Sequence, residues 1–148
     1  MKVEDLIEIE KIRQLKARYF RSMDQKNWDE WEQVFTEDAV FDFSAEGTPP
    51  IHGRSTFREY LLPILENVKT VHHGHMSEIK IDGDIAFGIW SMEDMLWWPK
   101  DQGGTYLWGM GWYYEKYKKC NDGRWCIAEL TLKRIKVVVD GIQTYPPV

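Results

Sequence analysis

The second half of the chain constrains the fold most. From Thr70 onward, apolar and polar residues alternate along residues 70–81, 85–98, 105–119 and 125–139. Asp82-Gly83-Asp84 and Asn121-Asp122-Gly123 separate two pairs of these runs, and Pro99-Lys100-Asp101-Gln102-Gly103-Gly104 separates the other. Period-two patterning interrupted by short turns rich in Asp, Asn and Gly reads as long antiparallel strands in a meander. Such strands have one face to bury, so the rest of the chain must supply a cover.

The first half has the other period. Leu6, Ile9, Ile12, Leu15, Tyr19 and Met23 recur at three- and four-residue steps, which predicts a helix over residues 4–23. Asn27 is placed to cap a short second helix carrying Trp28, Trp31, Val34 and Phe35. Residues 39–43 read as a strand, 46–50 as a turn and Ile51-His52 as a short return. Ser55 is placed to cap a third helix running to Leu65, with Phe57, Tyr60 and Leu61 among its apolar residues. The tail from Asp140 reads as loop. Three helices followed by a meander predict an α+β fold. A strongly curved, mostly antiparallel sheet wrapped around those helices makes a cone-shaped α+β barrel with a cavity at its open end. With no repeat or linker, residues 1–148 are expected to be one domain.

Composition excludes some classes of function. The net charge is −5 and no Lys/Arg stripe occurs, so no nucleic-acid partner is expected. No apolar run is long enough for a membrane span, and the charged opening is unlike a secretion signal. A cytoplasmic location is therefore expected, with Cys120 and Cys126 as free thiols on either side of a hairpin turn. There is no P-loop, dinucleotide fingerprint or serine-nucleophile elbow, and no cofactor is expected. Eight tryptophans are many for a domain of 148 residues. Several are expected to line a cavity for a flat or polycyclic small molecule, with Trp90, Trp108 and Trp112 as candidates.

Strand parity singles out two charges. Asp94 shares a face with Trp90, Met92, Leu96 and Trp98, and Arg134 with Leu130 and Leu132. A charge on an apolar face must be paired or functional. A structural Asp94–Arg134 ion pair and a role in substrate binding both fit. The run Val71-His72-His73-Gly74-His75 is more ambiguous. Alternation with Val71, Ile79 and Ile81 favours His73 or His75 for the interior, unless a bulge near Gly74 reverses the faces. His72 and His75 form a His-x-x-His pair, but no clear third ligand accompanies them, so a metal is not expected. Tyr19 lies on the apolar face of the first helix. Asp24 follows about 140° further round an ideal helix. The two share a pocket only if the helix ends near Met23, which Asp24-Gln25-Lys26-Asn27 permits.

The segments Leu15-Lys16-Ala17-Arg18-Tyr19-Phe20-Arg21-Ser22-Met23-Asp24, Trp28-Asp29-Glu30 and Phe35-Thr36-Glu37-Asp38-Ala39-Val40 resemble the opening of SnoaL-like proteins of the nuclear-transport-factor-2-like superfamily. The resemblance continues through His72-His73-Gly74-His75, Trp90-Ser91-Met92-Glu93-Asp94 and Trp125-Cys126-Ile127-Ala128-Glu129 to Lys133-Arg134-Ile135. Its pattern is most similar to the bile acid 7α-dehydratases, and more distantly to scytalone dehydratase and hexachlorocyclohexane dehydrochlorinase. The resemblance implies that Tyr19, Asp24, His72, Asp94 and Arg134 line one pocket, and it selects His72 from the histidine run. The tryptophans between Trp97 and Trp112 lie outside the pattern and argue against a bile acid as substrate.

The resemblance therefore implies a cofactor-independent lyase of dehydratase type. In it His72 is the base, Asp24 orients it, Tyr19 hydrogen-bonds substrate, and Asp94 and Arg134 position the substrate. Reprotonation at another carbon would make the same kit a ketosteroid-isomerase-like isomerase. Without turnover, the cone would be a binding protein for an aromatic ligand. Relatives of this kind imply a homo-oligomer, dimer or trimer.

Overall fold

Helix α1 (Val3–Asp24) lays Ile9, Ile12, Leu15, Tyr19, Phe20 and Met23 against a sheet, as its periodicity requires. The stripe starts later than predicted, because Leu6 remains exposed. The computed structural model describes residues 1–148. Asn27 caps α2 (Trp28–Glu32) through its side-chain oxygen, which accepts from the backbone of Glu30. Strand β1 (Phe35–Asp42) follows and begins earlier than predicted, then a 3-10 turn (Ser44–Glu46) and β2 (Ile51–His52). Helix α3 (Arg54–Leu65) starts after Gly53 rather than Ser55, whose hydroxyl instead donates to Glu32.

The meander is β3 (Lys69–Asp82), β4 (Ile85–Trp97), β5 (Tyr106–Lys119) and β6 (Trp125–Val139). The expected terminal loop contains a short strand, β7 (Ile142–Tyr145), paired with β6. The strand order is β2-β1-β6-β5-β4-β3, with β1 parallel to β6 and the other pairs antiparallel. The three helices pack in this curved sheet as the α+β cone expected from the sequence. One apolar cluster joins Ile12, Trp31, Phe41 and Phe57 to Met92, Tyr117 and Leu130.

The free-thiol expectation for the cysteines is overturned: Cys120 and Cys126 form a disulfide. The β5–β6 hairpin brings their Cα atoms to 6.3 Å, inside the range a disulfide spans. No helix is long and apolar enough to cross a membrane.

Two backbone features decide what faces inward. The β3–β4 register shifts between His75 and Glu78, where Met76 adopts φ 27°. This bulge lets His72 and Gly74 point inward before it and Ile79 and Ile81 after it. Alternation read backward from Ile79 therefore selects the wrong histidines. His72 is buried, whereas His73 and His75 lie on the outer face. Gly74 is required at its position, because a Cβ there would sit 2.7 Å from Phe20 Cε2.

Candidate active site

The site is a row across the sheet, closed on one side by the end of α1. His72 on β3 pairs in register with Asp94 on β4, and Asp94 with Gly109 on β5. Arg134 on β6 lies opposite Gly111. The glycines give the charged groups room. A Cβ on Gly109 would collide with both Arg134 Nη1 and Asp94 Oδ1, so the ion pair passes over a position that tolerates no side chain.

Asp24 is the last residue of α1, and the chain then turns through Lys26 at φ 60°. Its carboxylate accepts three hydrogen bonds. Thr70 Oγ1 donates at 2.8 Å, the His72 backbone N–H at 3.0 Å, and His72 Nδ1 at 2.6 Å. A carboxylate only accepts, so the shared proton belongs on Nδ1 and Nε2 is left with its lone pair. That nitrogen lies 3.9 Å from Asp94 Oδ2.

Asp94 and Arg134 form a two-pronged pair at 2.7 and 2.8 Å, and Arg134 Nε donates to Glu46 at 2.6 Å. Burial alone would lower the Arg134 pKa, but hydrogen bonding and charge from Asp94, joined by Glu46, hold it above its ordinary value. Burial raises the phenol pKa of both Tyr19 and Tyr113, so each is a neutral hydrogen-bond donor at physiological pH. The two rings meet edge to face, with centroids 6.1 Å apart.

His72, Asp94, Arg134, Tyr19 and Tyr113 line one cavity of about 190 Å³, whose walls include Met23, Phe57, Leu61, Leu65 and Leu132. Asp24 stands behind His72 rather than in the cavity wall. The structure thus brings together all five ionisable residues expected from the sequence. It does not do so for the tryptophans. Trp108 and Trp112 lie on the outer face, each 38% exposed, because β5 turns Gly109, Gly111 and Tyr113 inward. Trp90 faces inward but is absent from the cavity wall, and its indole N–H donates to Tyr117 at 2.8 Å.

Among the polar cavity residues, sequence reasoning missed Tyr113, Glu46, Thr48 and Tyr60. Tyr113 shares parity with Gly109 and Gly111, a detectable signal masked by the larger ring of Trp112 beside it. Glu46 sits in a turn, where periodicity says nothing.

A second buried ion pair supports Tyr19 from behind. Lys16 Nζ is paired with Glu115 and lies 3.9 Å from the centroid of the Tyr19 ring and 3.8 Å from that of Tyr113. Burial pulls the Lys16 ammonium down to about 8, against the opposing pull of Glu115. The unfolded lysine titrates near 10.4, so between these values the unfolded state binds more protons and stability rises with pH. Below pH 8 both states carry the proton and the penalty is fully present. The urea midpoint is therefore expected to rise from pH 8 to about 10. The double variant Lys16→Met, Glu115→Gln should flatten that rise. An unchanged slope in the double variant would show that another group causes it.

The geometry defines an α+β cone with a histidine oriented by aspartate at a largely apolar cavity open at one side. The chain belongs to the SnoaL-like domain family, whose profile matches residues 4–131. A Mycobacterium tuberculosis structure of unknown function is 31% identical, covering 88% of this chain and 73% of that one, with a TM-score of 0.76. Uncharacterized proteins of Mycobacterium bovis and M. tuberculosis are 36% identical over 78 residues, 51% of this chain and 51% of theirs. The matched segment spans about half the length of these curated relatives. Two more distant structures share the fold. One is a Novosphingobium aromaticivorans protein assigned as a scytalone dehydratase, with TM-score 0.83, 18% identity, and coverage of 93% of this chain and 91% of that one. The other is a type 2 hexachlorocyclohexane dehydrochlorinase, with TM-score 0.80, 18% identity, and coverage of 98% and 97%.

Proposed function

We propose that the protein is a lyase that eliminates water, or a comparable leaving group, from a small aromatic or alicyclic carbonyl compound. The observation that carries this reading is the Asp24-oriented imidazole of His72, whose free Nε2 stands beside Asp94 in the cavity wall. Nε2 takes the proton on the carbon next to the carbonyl. The C–H electron pair becomes the new double bond as the C–O bond on the adjacent carbon breaks. The departing hydroxyl takes back the proton from Nε2 to leave as water, whereas a halide leaves as its anion and the Nε2 proton passes to solvent. Asp24 stabilises the imidazolium as it forms. The neutral phenols of Tyr19 and Tyr113 donate to the oxygen on which negative charge develops. The Asp94–Arg134 pair gives the cavity a fixed polar edge against which the substrate is oriented.

Cavity size narrows the substrate. A cavity of about 150 Å³ holds a benzene ring. At about 190 Å³, this one suits a single substituted ring better than a polycyclic skeleton. The same residues isomerise a substrate that lacks a leaving group, so the two chemistries are separated by the product.

The deciding experiment incubates the protein with hydroxy-ketones carrying one or two rings and follows new conjugation by ultraviolet absorbance. Saturable conversion supports the lyase. Tight binding without conversion across the panel would favour the binding-protein reading instead. Phenylalanine at Tyr19 or Tyr113 removes one donor while keeping the ring. Each change is expected to lower kcat/KM by about 10- to 100-fold, the worth of a hydrogen bond to a charged group. Variants that retain full kcat/KM would place the developing charge elsewhere.

A further inference from the structure

The outer face of the sheet carries a second cluster that the proposed chemistry does not use. His73 and His75 are two apart on β3, so strand geometry points both rings to the same side, opposite His72. Glu93 on β4 pairs in register with His73 and lies on that side too. The three side chains bring one ligand atom each to within 4.8 Å of one another. His75 Nε2 lies 3.7 Å from Glu93 Oε2. Tetrahedral zinc with bonds of about 2.0–2.1 Å places its ligand atoms roughly 3.4 Å apart. Small side-chain rotations therefore close the set around one ion.

Glu93 is also prepared for such a role. Trp108 Nε1 donates to its Oε1 at 2.7 Å, which fixes the carboxylate and leaves Oε2 facing His75. Partners of this kind orient a ligating carboxylate. The sequence set His72 beside His75 as a His-x-x-His pair without a third ligand; the fold instead puts His73 on the side of His75, and the neighbouring strand adds Glu93.

We propose that His73, His75 and Glu93 bind a divalent transition-metal ion of the zinc type, through two imidazoles and one carboxylate. Imidazole ligands select zinc, copper or nickel over magnesium and calcium. Three protein ligands on an exposed face leave a coordination position open to water or to a further donor. The site shares β3 with His72 but opens on the other side of the sheet, so an ion there leaves the cavity free.

The test is a calorimetric titration of the intact protein with Zn²⁺, repeated with Co²⁺ while following its visible absorption. One saturable equivalent is expected. His73→Gln, His75→Gln and Glu93→Gln should each weaken binding at least about 10-fold, the low end of what even an outer partner contributes. Trp108→Phe should weaken it less than these, whereas His72→Ala and Asp24→Asn should leave it unchanged. Circular dichroism of each variant separates lost binding from lost folding. The proposal is overturned by a Kd weaker than about 1 mM. It is equally overturned by binding that survives all three ligand changes, or that disappears in His72→Ala.

Discussion

His72→Ala is expected to lower kcat by about 10²- to 10⁴-fold, the usual contribution of a positioned general base. Asp24→Asn should do nearly as much damage without touching the cavity. The Asp24 carboxylate accepts from the His72 backbone N–H through Oδ2 and from Nδ1 through Oδ1. An asparagine that keeps the first bond must turn its NH₂ toward the ring. Nδ1 then becomes an acceptor, the proton moves to Nε2, and the lone pair facing Asp94 is lost. The Thr70 hydroxyl can reorient, so it does not prevent this. The measurement is steady-state turnover on whichever ketone is converted, with thermal melting as a control. If Asp24→Asn keeps more than half of the wild-type kcat, His72 is not acting as an aspartate-oriented base.

Breaking the second pair should be felt mainly in stability. Asp94 has a side chain only 4% exposed, and Arg134 is its partner through two hydrogen bonds. Arg134→Met leaves the carboxylate buried without its countercharge, which costs about 3–5 kcal/mol. For a chain of this size each kcal/mol lowers Tm by about 2–4 °C, so the melt should fall by about 6–20 °C. The double variant Asp94→Leu, Arg134→Met removes both charges and should recover most of that loss. It also separates the two roles that the sequence left open for this pair. Recovered Tm with turnover still lost supports a substrate-positioning role. Recovery of both would make the pair purely structural. A double variant as unstable as the single one would mean that packing, not an uncompensated charge, causes the loss.

Much of this architecture was legible from local pattern. Three helices before a four-strand meander follow from two hydrophobic periods, and parity along β4 and β6 turned Asp94 and Arg134 inward without reference to any relative. Simple parity failed for the histidines because the Met76 bulge inserts a residue between Ile79 and His72; the alternative of a bulge near Gly74 that reverses the faces is the one the structure has. Resemblance, not periodicity, pointed to His72. The tryptophans misled for a different reason. A ring is conspicuous whichever face it occupies, while the inward positions of β5 opposite the ion pair must be small. Gly109 and Gly111 were the informative residues there, and Tyr113 beside them was overlooked.

Sequence alone determined the three helices, the four long strands of the meander and which charges sit on apolar faces. Both are properties of neighbours a few residues apart. Only the tertiary structure decided that Asp24 meets His72 across 48 residues of chain, that Cys120 meets Cys126, and that Glu93 joins His73 and His75. Those meetings depend on where α1 stops, how the strands register and where the ladder slips. They are set by the packing of the whole sheet around its helices, and no single stretch of sequence encodes them.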